Sequence, residues 1–146
     1  MRTDYELLNE SLGLVGPVAD QLIRSFYDRV FTGHPQVRSM FPADMTEQRE
    51  HLLKAVVALV TNYDHREDLV PYLEALGGRH VRYGVVPEHY GIVGQALLAS
   101  LAEMAGEHWT DEYEGAWARA YTFAAEVMQS GANSGAPTPE RLAEAA

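Results

Sequence analysis

Leu69-Val-Pro-Tyr-Leu-Glu-Ala-Leu-Gly-Gly-Arg-His80, followed by Val81-Arg-Tyr-Gly-Val-Val-Pro-Glu-His-Tyr90, decides how this chain is read. Leu69, Leu73, Leu76 and His80 are spaced four, three and four apart. At helical pitch that spacing sets a histidine in line with an apolar stripe, on the buried side of the helix. Gly84 and Pro87 then mark a turn before a second strongly apolar helix. A neutral imidazole on such a face suits an axial ligand to a metal held in an apolar pocket. It also suits a core histidine hydrogen-bonded to a backbone carbonyl, which on this stretch alone is the commoner outcome. The rest of the chain must supply a pocket for the first reading to stand.

Composition narrows the possibilities. The 146 residues fit one domain with room for a real core, and 47% of them are apolar. Eleven Lys and Arg against 21 Asp and Glu give a net charge of −10. Nucleic acid and anionic membrane surfaces are poor partners for such a chain, because both are bound through clustered Lys and Arg. Without cysteine, disulfides, thiolate catalysis, zinc ribbons and thiolate-held haem or iron–sulfur clusters are excluded together. No apolar run approaches the ~18 residues of a membrane span, and Met1-Arg-Thr-Asp-Tyr-Glu6 lacks the apolar core of a signal peptide. The expectation is a cytoplasmic protein.

Taken in order, the chain predicts about seven helices and no strands. Asp4 is placed to cap a first helix carrying Leu7, Leu8 and Leu12. Pro17 opens a second, with Val18, Leu22, Phe26 and Val30 along one face and Gly33 at its end. Pro35 starts a short helical turn that Pro42 stops. Asp44 and Glu47 read as a capping box for a fourth helix. That helix is apolar round much of its circumference and is expected to be largely buried. After a polar corner from Asn62 to Arg66 comes the histidine helix. Pro87 opens the next, Gly106 ends it, and Thr110 caps a last helix carrying Trp117, Tyr121, Phe123 and Met128. From Gly131 the composition turns to Gly, Ala, Ser and Pro, so residues 1–131 are expected to form the domain and 132–146 a tail or linker.

Phe26-Tyr-Asp-Arg-Val-Phe-Thr-Gly-His-Pro-Gln-Val-Arg-Ser-Met-Phe41 resembles the globin family, and within it the bacterial haemoglobins and the haem domain of flavohaemoglobins. The likeness runs from about residue 3 to 131. Tyr27 matches the family's distal tyrosine, and Phe41, fourteen residues on, its haem-wedging phenylalanine. Gln48-Arg-Glu-His-Leu52 matches the distal glutamine and the leucine one turn later. His80, thirty-two residues beyond Gln48, falls on the iron-binding histidine. His89-Tyr90-Gly-Ile-Val-Gly-Gln and Ala116-Trp117-Ala-Arg-Ala-Tyr121 match two further motifs. The loop between Phe41 and Gln48 is shorter than in flavohaemoglobins by about three residues. A gap placed elsewhere would move His51 toward the iron in place of Gln48.

The resemblance implies an all-α globin fold around one b-type haem, with His80 as the metal ligand. It implies that Tyr27 and Gln48 donate hydrogen bonds to bound dioxygen, that Leu52 is a lid over the iron, and that Phe41 packs on the porphyrin. Arg79 is either a partner for a haem propionate or a solvated charge. His89, in the first turn of its helix, is a candidate for the haem edge. Gly77 and Gly78 either let backbone approach the haem or simply pack. Tyr90 matches a tyrosine that, with a glutamate from the last helix, flanks the proximal histidine of flavohaemoglobins. The glutamate position is Ala132 here, and Glu126 lies about half a turn off Trp117's face, so the acid of peroxidase-like chemistry is missing.

Two function classes follow. One is a protein that binds, delivers or senses O2, with NO, CO or cyanide as further ligands. The other is a nitric oxide dioxygenase forming nitrate with a separate flavin/NADH reductase, since the chain carries no dinucleotide-binding glycine fingerprint. The alternative is a globin recruited as a peroxidase-like oxidoreductase on another small substrate.

Overall fold

The computed structural model describes residues 2–133. Among them are six α-helices, three short 3₁₀ segments and no strand. The helices are α1 (Asp4–Val15), α2 (Ala19–Gly33), α3 (Thr46–Thr61), α4 (Arg66–Arg82), α5 (Pro87–Ala105) and α6 (Asp111–Asn133). The seventh expected helix, opened by Pro35, is the 3₁₀ segment Pro35–Met40. No helix of the described residues is long and apolar enough to cross a membrane.

Local chemistry explains most boundaries. Thr3, one residue before the expected Asp4, caps α1. The Glu6 N–H donates to Thr3 Oγ1 at 3.2 Å and the Thr3 N–H to Glu6 Oε1 at 2.8 Å, which satisfies two orphan donors reciprocally. Asp44 and Glu47 form no such box. Asp44 instead accepts from the Thr46 N–H at 3.0 Å, a local turn that hands the chain to α3 without a side-chain cap at Met45. Pro17 sits in a 3₁₀ turn just ahead of α2, whereas Pro87 is the first residue of α5. Gly106 has φ +58°, a conformation glycine adopts without penalty, and it ends α5 as expected. Thr110 Oγ1 accepts from the Tyr113 N–H at 3.1 Å at the start of α6. That last helix runs two residues past Gly131, and the expected tail from 134 onward lies outside the described residues.

Trp117 is fully buried and ties α6 to α1. Its Nε1–H donates to Ser11 Oγ at 2.8 Å, and that hydroxyl donates to the Leu7 carbonyl at 2.8 Å. A buried polar chain of this kind is stable only because each donor finds an acceptor.

The tightest crossing is α4 on α6. A Cβ built on Gly77 would stand 1.9 Å from the Met128 carbonyl oxygen, and one on Gly131 would stand 2.3 Å from the Glu74 oxygen. Gly77 is therefore a packing glycine that lets two helix backbones touch. α3 is less covered than its sequence predicts. Leu52 and Leu53 are half-buried and Val57 is 38% exposed.

Candidate functional site

Between α2, α3, α4, α5 and α6 lies an apolar cavity of about 200 Å³. The leucine stripe of α4 forms one wall. Leu73, Leu76 and His80 line it, as their spacing requires, while Leu69 is buried below them. His80 Nδ1 lies 2.8 Å from the Leu76 carbonyl oxygen, one helical turn back. A carbonyl can only accept, so Nδ1 carries the proton and Nε2 keeps a lone pair. Nε2 has no hydrogen-bond partner among the described residues. Burial lowers the imidazole pKa; the Leu76 bond opposes this shift and the Arg79 charge adds to it, so the ring is neutral at pH 7.

Tyr27 of α2 and Gln48 of α3 line the same cavity. The Gln48 side-chain amide donates to the Tyr27 hydroxyl oxygen at 3.2 Å. Burial raises the Tyr27 pKa, and the Gln48 bond only partly offsets this, so the phenol keeps its proton. Its oxygen is used as an acceptor, which leaves the O–H free to donate elsewhere. Three rings hold the phenol: Phe26 edge-on at 4.9 Å, Phe31 stacked at 5.7 Å and Phe41 edge-on at 5.7 Å.

The pocket face of α3 reads Gln48, Leu52, Ala55, Val56 and Leu59. His51 is not on it, so the register that puts Gln48 toward the cavity is the one adopted. Phe41, Tyr90 and His89 also line the cavity. His89 Nδ1 accepts from the Val86 N–H at 3.1 Å and so caps α5. Tyr90 is held through its backbone: the Tyr121 hydroxyl donates to the Tyr90 carbonyl at 2.6 Å, and Tyr121's ring fills the space left by Gly94. Glu126 is exposed. Ala132 lies within α6.

Arg79 departs from one of its two expectations, the solvated charge. It is 7% exposed, so it is not a solvated charge, and it does not line the cavity. Its Nε has no hydrogen-bond partner. His65, just before α4, and His108, in the 3₁₀ segment Gly106–His108, are exposed, whereas His34 is half-buried. Phe31 and Tyr121 support the site although the sequence assigned neither of them a role in it. Phe31 lies four residues after Tyr27 and Tyr121 four after Trp117, one helical turn in each case, and that spacing was the available signal.

Among the described residues no group of three or more His, Cys, Asp or Glu could cage a bare metal ion. One neutral imidazole facing an apolar slot fits a large, flat, mostly apolar group whose own metal needs a single axial nitrogen.

The globin family matches residues 24–128. The flavohaemoprotein of Rhizobium meliloti (strain 1021) is 38% identical over 110 residues, 73% of this chain and 27% of that protein. The flavohaemoprotein of Bacillus subtilis (strain 168) is 30% identical over 126 residues, 84% of this chain and 32% of that one. The chain thus spans about a quarter to a third of the length of these curated relatives. A bacterial globin from Campylobacter jejuni superposes with a TM-score of 0.78 at 23% identity, covering 89% of this chain and 94% of its own.

Proposed function

The chain belongs to the globin family, and we propose that it is a haem protein that binds dioxygen reversibly, with His80 as the axial ligand of a b-type haem. Haem, when bound, would be held through its iron by His80 and would supply a metal centre able to bind a small diatomic ligand. The observation that carries the reading is that a tautomer-fixed imidazole and a buried phenol–amide pair face one apolar cavity.

Each residue has a distinct task in this reading. The Leu76 carbonyl holds the proton on Nδ1, which orients the imidazole and keeps Nε2 available. Tyr27 donates its phenolic proton to a polar atom entering the cavity, and such preorganised donors are worth more in a dry site than in water. Gln48, on this geometry, orients the phenol and is a secondary donor. Leu52 and Phe41 narrow the space and exclude water. His89, with Nδ1 engaged, carries its proton on Nε2 at the cavity's edge and suits a cofactor carboxylate. Arg79, off the lining, is assigned no contact.

The physiological reading is O2 binding or delivery, or removal of nitric oxide to nitrate with electrons from a flavin/NADH reductase. The peroxidase-like alternative is disfavoured, because His80 leans on a neutral carbonyl and Glu126 points to solvent. Rapid mixing of the oxygenated protein with NO tests the proposal. A carrier consumes one equivalent and stops, whereas an oxygenase turns over once reductase and NADH are added. Failure to form an oxygenated species at all would refute both.

A further inference from the structure

Arg38 lies outside the cavity lining, yet it makes four contacts that converge on the Tyr27 side of it. Its Nη1 donates to the Phe41 and Pro42 carbonyls at 3.2 and 3.0 Å, and its Nη2 to the Ala43 carbonyl at 3.2 Å. Its Cζ stands 5.0 Å over the centre of the Phe31 ring. One guanidinium therefore gathers three consecutive carbonyls and caps an aromatic face, a task suited to its planar fork of donors.

The position of that clamp gives it consequence. Residues 41–45 join the 3₁₀ segment to α3 without forming a helix of their own, and Pro42 has no N–H to contribute. Phe41 stands at one end of this corner, and Gln48 lies just beyond the other, within the first turn of α3. Both face the cavity. Phe31, Phe41 and Tyr27 form a closed set of ring contacts, with Phe31 and Phe41 5.3 Å apart. Arg38 holds two members of that set, Phe31 by its face and Phe41 by its carbonyl.

We propose that Arg38 is a positioning residue for the ligand side of the pocket: by pinning the 41–43 corner against Phe31 it fixes the direction of the Tyr27 hydroxyl. The proposal rests on the reading of the cavity as a haem site. Loss of the clamp frees the corner, lets Phe41 and Gln48 drift, and gives the phenol more than one orientation. Ligand stabilisation falls although no residue touching the ligand has changed.

The test is the infrared C–O stretch of the ferrous carbon monoxide complex of the full chain, which reports hydrogen-bond donation to the bound molecule independently of turnover. Tyr27→Phe sets the frequency with the donor gone. Arg38→Met, which keeps the aliphatic stem, is expected to split or broaden the band toward that frequency and to speed ligand release roughly threefold, part of one net hydrogen bond. Arg38→Lys keeps a cation near Phe31 but cannot fork across three carbonyls, so it falls between wild type and Arg38→Met. It also serves if the methionine variant fails to fold. Wild-type bands in the arginine variants, with Tyr27→Phe shifted, would overturn this proposal alone. An unshifted Tyr27→Phe would overturn the distal reading and this proposal with it.

Discussion

Replacing Gly77 by alanine adds one methyl group to a helix, and the structure predicts that it damages the protein. The added Cβ would stand 1.9 Å from the Met128 carbonyl oxygen, 2.5 Å from its carbonyl carbon and 2.6 Å from its Cα. Ordinary contacts between such atoms lie near 3.5 Å. All three are backbone atoms of α6, so no side chain can rotate away, and relief requires α4 and α6 to separate along their crossing. Overpacking of this kind costs roughly 1–3 kcal/mol, sometimes more. The gain in helix propensity from Gly to Ala, at most about 1 kcal/mol, does not offset a shift that also unpacks the Gly131–Glu74 approach. A net loss of about 2 kcal/mol lowers the melting temperature of a chain this size by roughly 5–10 °C. Gly91 of α5 is the control, because a Cβ there meets nothing within 4 Å. There the propensity term acts alone and Gly91→Ala is expected to stabilise by about 0.5–1 kcal/mol. Thermal and urea denaturation of both variants reads the two signs. If Gly77→Ala left the midpoint unchanged or raised it, the close helix crossing would be wrong.

Tyr27→Phe removes the phenolic donor while keeping the ring among Phe26, Phe31 and Phe41. Oxygen release measured by stopped flow is expected to quicken about tenfold, the worth of one hydrogen bond in a dry site, and unchanged release would remove Tyr27 from the ligand's surroundings. His51→Leu is expected to leave ligand binding within twofold of wild type, because His51 is off the pocket face of α3, whereas Gln48→Leu alters it. Asp4 pairs with Arg119 through two hydrogen bonds of 2.8 Å, which lower the Asp4 pKa from its ordinary 3.8. The charged form is favoured in the folded state, so the contribution is present above pH 4 and fades as acid protonates the carboxylate. Arg119 is 59% exposed, so Asp4→Asn should cost less than about 1 kcal/mol at neutral pH and nothing near pH 2 by urea denaturation.

The helices, their order and most of the cavity wall were legible because they rest on local periodicity. Leu73, Leu76 and His80 face one way for the reason their spacing gives, and Gln48 and Leu52 share a face because they are four apart. The less legible features depend on which elements meet. Gly77 reads in sequence as free to pack or to admit a cofactor, and only the crossing of α6 decides between them. Arg79 reads either as a propionate partner or as a solvated charge beside the histidine, and only its burial one residue off the stripe removes the second. Arg38 sits in a short 3₁₀ segment where its polar character carries no signal, since its partners are backbone carbonyls. The expected burial of α3 failed for a similar reason: hydrophobicity says that a face can be covered, not that a neighbour is there to cover it.

The decisive measurement for His80 as a haem ligand is the visible spectrum of the protein reconstituted with haem, recorded ferric, dithionite-reduced and then air-exposed, with His80→Ala run beside it. Wild type is expected to give a five-coordinate ferrous spectrum that passes to a stable oxygenated form, and the variant to lose haem. A wild-type protein that takes up no haem would rule out His80 as a haem ligand, and a ferrous spectrum already six-coordinate before any ligand is added would show that a side chain fills the ligand side beside Tyr27.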